Sequence, residues 1–341
     1  MLNYYITFII SLMIIITMFH IKNTRNFKYI HISKNKFYPE WMSDINGDIK
    51  LNMLCYPGTH DSAVYDNIKT NKSIEGQPIW VKYLQIINKY VYNITHKINN
   101  WSITQDNRIY LQLIHGIRYF DIRIGYDKDE GKFYGIHAFA ESSIDDIFAD
   151  FQLFCRKYTK EIILIKLTCD DLPMNKLVCV INKYIGDKLL KNNKNTNIFR
   201  HNTINSMNLK NKQIFIFNNK YHEYYHELHP EPFYGKWVNS SNMFYKSSQF
   251  REQLQKFKLF DERYFFGKIS LIDWTITPDI MDRVFSLDSL KNRSYQINNF
   301  LDIFLGSLTD DEKQYVGIIA IDFECTYNLL EQVININNKK Y

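Results

Sequence analysis

Short, uninterrupted apolar runs recur along the chain, and longer stretches with helical periodicity lie between them. Runs rich in Ile, Phe and Val are typical of parallel strands that are buried on both faces. The pattern predicts strands over residues 51–56, 118–125, 162–168, 214–218, 268–274 and 317–323. Apolar residues at helical spacing predict helices over 143–158, 175–190, 287–305 and 327–335.

The repeated alternation of strands and helices predicts an α/β fold. Six strands fit an irregular TIM-type (β/α) barrel with some weak members, or an open doubly wound sheet, and the pattern alone leaves both possible. Residues 192–197 form a polar loop, and 221–237 an irregular aromatic one. We predict one domain over 40–341, because α/β barrels commonly use this much chain.

The N-terminus is apolar over residues 2–21 and uninterrupted over 4–19. A membrane span needs about 20 apolar residues, so we predict a membrane anchor over 1–21 and a basic linker over 22–39. A cleaved signal peptide and a buried helix are the alternatives, but no small-residue cleavage site follows the apolar run. The cations after the run predict a cytoplasmic catalytic domain; they are Lys22, Arg25 and Lys28.

Composition narrows the class of partner only slightly. The net charge of +6 over 341 residues favours anionic partners weakly. The five cysteines contain no CxxC pair, which indicates buried free thiols in a reducing compartment. The absence of a basic-aromatic stripe argues against nucleic-acid binding, and we expect a monomer.

Three groups of ionisable residues follow or interrupt the predicted strands. After the first strand, a Pro-Gly turn is expected to present His60 beside Asp61, where the alternative is a helix cap beside a structural histidine. Asp121 and Arg123 lie two apart in a predicted buried strand and therefore share a face. They form either a structural ion pair or an anion-binding arginine, since a guanidinium donates two parallel hydrogen bonds to a phosphate. The third, His137, follows a short strand-like run and taken alone is more often structural.

In this order the motifs resemble those of X-domain phospholipases C, and most closely the single-domain PLC X-domain-containing family. The resemblance includes Trp-Met-Ser at 41–43, Tyr-Pro-Gly-Thr-His-Asp-Ser at 56–62, Gly-Ile-Arg-Tyr-Phe-Asp-Ile-Arg at 116–123, and His137. It extends through 161–165, 274–278 and 319–323, and so covers nearly the whole chain after the apolar segment.

The resemblance implies an irregular TIM-type barrel and a two-histidine phosphodiesterase acting on a phospholipid headgroup at a membrane. His60 then matches the general base and His137 the general acid. Arg123 stands where the calcium-dependent members carry metal-binding carboxylates, and Asp61 stands where they carry a ligating Asn. Both features predict a metal-free site without a cofactor.

Other residues receive expected roles around this pair. Asp322, at the end of the last strand, is expected to hold the tautomer of His60, with a helix cap as its alternative. We expect Asp121 to position Arg123. Headgroup contacts are expected from the ends of two strands, at Lys166, Thr168, Asp273 and Thr275. His115 precedes its strand and is expected to be structural.

Two departures from the family pattern put inositol specificity in doubt. The glycine usual after the second histidine is Ala138, and Thr168 and Asn219 stand near positions where bacterial relatives have basic residues.

Two other functions are alternatives to this phosphodiesterase: a catalytically inactive headgroup-binding protein, and a metal-dependent glycerophosphodiester phosphodiesterase.

Overall fold

The structure, a computed structural model, describes residues 37–65, 74–77, 101–137, 139–192, 198–260, 267–277 and 288–341. The predicted apolar anchor and nearly all of the linker lie outside these residues, so both stay predictions. Among the helices of the described ranges, none combines the length and the apolar character that crossing a membrane requires.

In the described part of the chain, nine strands form one sheet. The strands are β1 (Tyr56–Thr59), β2 (Tyr119–Asp127), β3 (Lys132–His137), β4 (Phe139–Ser143), β5 (Ile163–Thr168), β6 (Ile214–Phe217), β7 (Phe233–Tyr234), β8 (Ile269–Trp274) and β9 (Ile318–Ile321). The α-helices are α1 (Ile109–Ile114), α2 (Ile144–Lys157), α3 (Met174–Ile185), α4 (Ile198–His201), α5 (Ile204–Leu209), α6 (Met243–Leu259), α7 (Leu290–Ser307), α8 (Asp310–Lys313) and α9 (Leu329–Lys340).

Seven of these strands pair in parallel, in the order β6-β5-β2-β1-β9-β8-β7. The second half of β2 also pairs with the antiparallel hairpin β3–β4. Between the outer strands, Phe217 of β6 forms an isolated parallel bridge with His229, just before β7. The α/β prediction is therefore confirmed, with a curled sheet of mostly parallel strands that is not fully closed.

The apolar runs from residue 118 onward match β2, β5, β6, β8 and β9. Strands β1, β6 and β9 are buried at every position, as expected for parallel strands covered on both faces. The four predicted helices match α2, α3, α7 and α9. Ser143 caps α2 by accepting a hydrogen bond from the amide of Asp145 at 3.2 Å.

The prediction of a strand over 51–56 is wrong. Residues Leu51–Met53 form a 3-10 helix whose first two side chains are buried, and the hydroxyl of Tyr56 donates to the Leu51 carbonyl at 2.8 Å. The apolar run is buried as a tight turn, and burial alone does not select a strand. Pro57 and Gly58 consequently lie inside β1 and not in a turn. Gly58 is required there because an added Cβ would lie 2.7 Å from the Tyr119 ring.

Helix α6 and strand β7 were missed by the sequence pattern. The sequence of α6 is largely polar, and only one narrow stripe is buried, at Lys246, Phe250, Leu254 and Phe257. A lysine in that stripe interrupts the apolar periodicity that identifies a helix. Strand β7 has only two residues and lies inside the predicted aromatic loop.

Candidate active site

The strand register brings the predicted site residues to the carboxyl ends of the parallel strands. Thr59 pairs with Phe120 on one side and with Ile321 on the other, so that His60 is level with Asp121 and Asp322. Asp121 pairs in turn with Lys166, and Arg123 with Thr168. In α/β barrels this end of the sheet carries the active site.

His60 is enclosed by two carboxylates. Its Nδ1 atom lies 3.0 Å from Asp322 Oδ1, and its Nε2 atom lies 3.3 Å from Asp61 Oδ2. Burial by itself would lower the pKa of His60, but the charges of Asp61 and Asp322 outweigh burial and raise the pKa to about 10. The two carboxylates therefore favour the protonated form of the imidazole. Asp322 caps neither of the two helices that follow it.

Asp61 contacts all three cationic or titratable groups of the site. Besides His60, its carboxylate lies 2.7 Å from Arg123 Nε and 3.6 Å from His137 Nε2. Burial would raise the pKa of Asp61, but these neighbours outweigh it and lower the pKa. The residue has a positive φ of 41°, which an L residue adopts only when the surroundings enforce it.

His137 ends β3 and faces His60. The two ring centroids are 6.4 Å apart and the planes are nearly perpendicular. Its Nδ1 atom lies 2.8 Å from the Ser102 carbonyl oxygen. Because a carbonyl only accepts, Nδ1 carries a proton, and Nε2 faces the Asp61 carboxylate.

Arg123 is paired with Asp61, and the charges of Asp61 and, to a lesser extent, Asp121 raise its pKa. The expectation that Asp121 positions Arg123 stays a prediction. Asp121 lies 3.7 Å from Lys166 Nζ on the neighbouring strand. The two residues share a face of β2 as expected, but the backbone turn after β1 brings Asp61 closer to the guanidinium. Arg123 Nη2 also lies 3.4 Å from His60 Nε2, and the side chain is 40% exposed, so it remains open to a ligand.

The four residues expected to contact a headgroup differ in their solvent exposure and in the partners of their side chains. Lys166 is paired with Asp121, and Thr168 is exposed at the end of β5. Asp273 is partly exposed, and burial raises its pKa to about 6. Thr275 is fully buried, and its hydroxyl oxygen has no hydrogen-bond partner among the described residues. A direct headgroup contact from Thr275 is therefore not supported by its position.

Sequence reasoning missed Trp237, which lies against His60, and Lys246, which lies against Trp237. The Trp237 indole stacks obliquely on the His60 ring at 5.2 Å, and Lys246 Nζ lies 5.2 Å from that indole. Lys246 is completely buried and donates to the Thr275 carbonyl. Burial lowers its pKa to about 8, although Asp273 and Asp322 oppose the shift. Both residues lie in or just after the irregular aromatic region, where no strand marks their position.

His115 lies outside this cluster. Its Nδ1 atom is 3.1 Å from Glu324 Oε1, and its ring packs against Phe37 at 5.4 Å.

A metal ion has one candidate set of ligands among the described residues. Ligand atoms of His60, Asp61 and Asp121 all lie within 4.8 Å of one another. Asp61 is already paired with Arg123, however, and a guanidinium at 2.7 Å from that carboxylate would repel a divalent cation. The donor set therefore fits a metal poorly.

Several known proteins with related sequences are described as PI-PLC X-box or X domain-containing proteins. A Dictyostelium discoideum PI-PLC X-box domain-containing protein is 29% identical over 161 residues, or 44% of this chain. PI-PLC X domain-containing protein 1 of Danio rerio is 29% identical over 138 residues, or 38% of the chain. The chain is similar to the PI-PLC X domain-containing proteins. Human PI-PLC X domain-containing protein 2 extends that match to 60% of this chain at 26% identity and covers 68% of the human protein.

The match to the first two PI-PLC X domain relatives is partial. It covers 20% of the Dictyostelium protein and 44% of the zebrafish protein, so the chain spans less than half of either one. No protein-family model matches the chain.

Solved structures of two enzymes have a fold similar to that of this chain. The phosphatidylinositol-specific phospholipase C from Listeria monocytogenes superimposes with a TM-score of 0.59 at 19% identity, over 87% of this chain and 98% of that one. A Staphylococcus aureus enzyme of the same description gives a TM-score of 0.58 at 14% identity, over 87% and 97% of the two chains. The fold is therefore that of these enzymes.

Proposed function

We propose that the chain is a phosphodiesterase of the phospholipase C type that cleaves a phospholipid headgroup without a metal ion. The observation that carries the proposal is the grouping of His60, His137 and Arg123 around Asp61. Two imidazoles 6.4 Å apart can serve the attacking and the leaving oxygen of one phosphate, since hydrogen bonds to each span about 3 Å.

The reaction begins with a headgroup hydroxyl next to the phosphate. Its oxygen attacks phosphorus while the proton moves to Nε2 of neutral His60. Asp322 accepts a hydrogen bond from Nδ1–H and stabilises the imidazolium that forms. Arg123 neutralises the phosphoryl oxygens. The bond to the glycerol oxygen breaks as His137, protonated on both ring nitrogens, donates its Nε2 proton to that oxygen. Asp61 contacts Arg123 and both imidazoles and so fixes their positions relative to one another.

Substituting each histidine separately tests the assignment of base and acid. We expect His60→Ala to lower kcat by about 100-fold or more on every substrate, because the attacking hydroxyl loses its proton acceptor. His137→Ala should reduce kcat strongly for natural lipids and much less for a nitrophenyl ester, whose leaving group needs no proton. His115→Ala, outside the cluster, is the matched control and should keep both activities. Equal losses on both leaving groups would remove the acid role from His137.

The rival functions predict different outcomes of the same assay. With EDTA present, we expect turnover to continue, because Arg123 provides the positive charge. Loss of turnover with EDTA and its recovery with a divalent cation would favour a metal site at His60, Asp61 and Asp121. Headgroup binding without turnover under any condition would favour an inactive binding protein.

A further inference from the structure

A short buried segment outside all the recognised motifs contacts the segments that carry His60, His137 and Asp322. Residues 102–105, named the strap below, precede α1. Three of its side chains are buried: Ser102 is 6% exposed, and Thr104 and Gln105 are completely enclosed. Polar groups buried this deeply must find partners, and the partners of the strap lie on the turns that carry His60, Asp61 and Asp322.

Thr104 connects the two turns that hold the carboxylates. Its hydroxyl donates to the Asp61 carbonyl at 2.8 Å, and its own carbonyl accepts from the Phe323 amide at 2.7 Å. Asp61 and Phe323 both have positive φ, of 41° and 51°. These are strained conformations for residues with a Cβ, and they persist only where neighbouring contacts hold them.

Gln105 holds the same two turns through its side-chain amide. Nε2 donates to the His60 carbonyl at 2.9 Å and to the Ile321 carbonyl at 3.2 Å, while Oε1 accepts from the Glu324 amide at 3.2 Å. Rotating the amide by half a turn would place its oxygen against two carbonyl oxygens. One orientation is therefore fixed, and it clamps the ends of β1 and β9 together.

The strap also fixes the second histidine, through the Ser102 carbonyl on His137 Nδ1 at 2.8 Å. The three strap residues thus reach the turn with His60 and Asp61, the turn after Asp322, and the imidazole of His137. These groups come from three separate strands, β1, β9 and β3, and the strap is a common support for them.

We propose that the strap is a positioning element that sets the distance and orientation between the two imidazoles, with Thr104 and Gln105 as its positioning residues. The inference rests on the proposed phosphodiesterase function for its kinetic consequence. Thr104 and Gln105 touch no reacting atom; they act through the backbones of His60, Asp61 and Phe323. Misplacement of catalytic groups by about 1 Å can cost up to about 100-fold in rate.

The test compares isosteric substitutions in the strap with a matched glutamine elsewhere. Thr104→Val removes the bond to Asp61 with little change of shape, and Thr104→Ser restores a hydroxyl. Gln105→Met removes the clamp. Gln213→Met is the control: Gln213 is also buried and its Nε2 also donates to two carbonyls, of Tyr158 at 2.7 Å and Glu161 at 3.2 Å, but at the amino end of β6.

We expect Thr104→Val to lower kcat by about 10-fold or more with KM changed less than about threefold, and Thr104→Ser to recover most of the loss. Gln105→Met should lose more. Gln213→Met should retain wild-type kcat per folded molecule while its melting temperature falls. If Gln105→Met does not fold, the comparison of Thr104→Val with Thr104→Ser still tests the proposal. Full kcat in folded Thr104→Val would overturn the proposal.

A second readout needs no turnover. The nitrogen chemical shifts of His137 should report the Nδ1–H tautomer in the wild type. The NMR titration midpoint of His60, which faces Asp61, Asp322 and Arg123, should fall in Thr104→Val as Asp61 loses its support. If the wild type hydrolyses no phosphodiester but this midpoint falls, the strap stands and the proposed function fails. If the wild type is active and the midpoint and kcat are both unchanged, the strap inference fails alone.

Discussion

Among single residues, Asp61 decides the electrostatics of the candidate site. It is completely buried, it contacts Arg123, His60 and His137, and it is the residue whose backbone the strap supports. The sequence indicated Asp61 as a departure from the calcium-binding pattern. Its role as the common partner is seen only in the contacts of its carboxylate with Arg123 and the two histidines.

The pKa of His60 predicts the pH dependence of activity. A base acts in its neutral form, and Asp61 and Asp322 raise the pKa of His60 to about 10 despite the opposing effect of burial. We therefore expect kcat/KM to rise with pH well above 7, whereas a free imidazole would reach the midpoint of this rise near pH 6.5, at about its usual pKa. Asp322→Asn removes one of the two charges and should move the rising limb to lower pH. A limb near pH 6.5 in both proteins, measured with a nitrophenyl substrate, would contradict this electrostatic account.

Among the elements, the β3–β4 hairpin determines the position of His137. It pairs with the second half of β2, and it also packs against the turn that follows β1. The closest approach is at Gly135, where an added Cβ would lie 2.6 Å from Ala63 Cβ and 3.2 Å from the Ala63 carbonyl oxygen. Ala63 follows Asp61 by two residues, so this contact sets the spacing between the two histidine-bearing segments.

A side chain at Gly135 should therefore separate the two imidazoles. We expect Gly135→Val to lower kcat by about 10-fold or more, because the hairpin has to move away from the His60 turn. Gly306→Ala is the control, since no atom lies within 4 Å of the added Cβ on α7. It should leave kcat unchanged and raise stability by up to about 1 kcal/mol through helix propensity. Kinetics and thermal unfolding of the two variants measure both effects, and unchanged kcat in Gly135→Val would show that the contact does not set the spacing.

For the whole molecule, a buried ion pair lies at the amino ends of the parallel strands, and the candidate site lies at their carboxyl ends. At the amino end, the Arg118 guanidinium donates to Glu161 Oε2 at 2.6 and 2.9 Å, and neither side chain is more than 1% exposed. The guanidinium also lies 4.8 Å from the centre of the Phe154 ring and 5.8 Å from that of Trp41. This pair joins the start of β2 to the segment before β5. It therefore lies at the amino ends of the strands, whereas His60 lies at their carboxyl ends.

Breaking this ion pair should cost stability without changing the chemistry. Glu161→Gln leaves the Arg118 charge buried without a counter-ion, and we expect a loss of about 3–5 kcal/mol in the free energy of unfolding. The double variant Arg118→Met with Glu161→Leu removes both charges and should recover much of that loss. Urea unfolding measures the stability, and kcat per folded molecule should match the wild type in both. A fall in kcat would place the pair in functional contact with the site.

The sequence by itself determined the fold class, most strands and the identity of the candidate site residues. Buried parallel strands need continuous apolar runs, and a charged residue at the end of such a run is unusual enough to be noticed, as with His60, Arg123 and Asp322. Only the tertiary structure decided that Asp61 pairs with Arg123, that residues 51–53 form a 3-10 helix before β1, and that Trp237 lies against His60 with Lys246 next to the indole. These features depend on contacts between segments far apart in sequence, such as Thr104 with Phe323 and Lys246 with Thr275. Local periodicity does not predict such contacts, because it indicates which face of an element is buried and not which residues pack against that face.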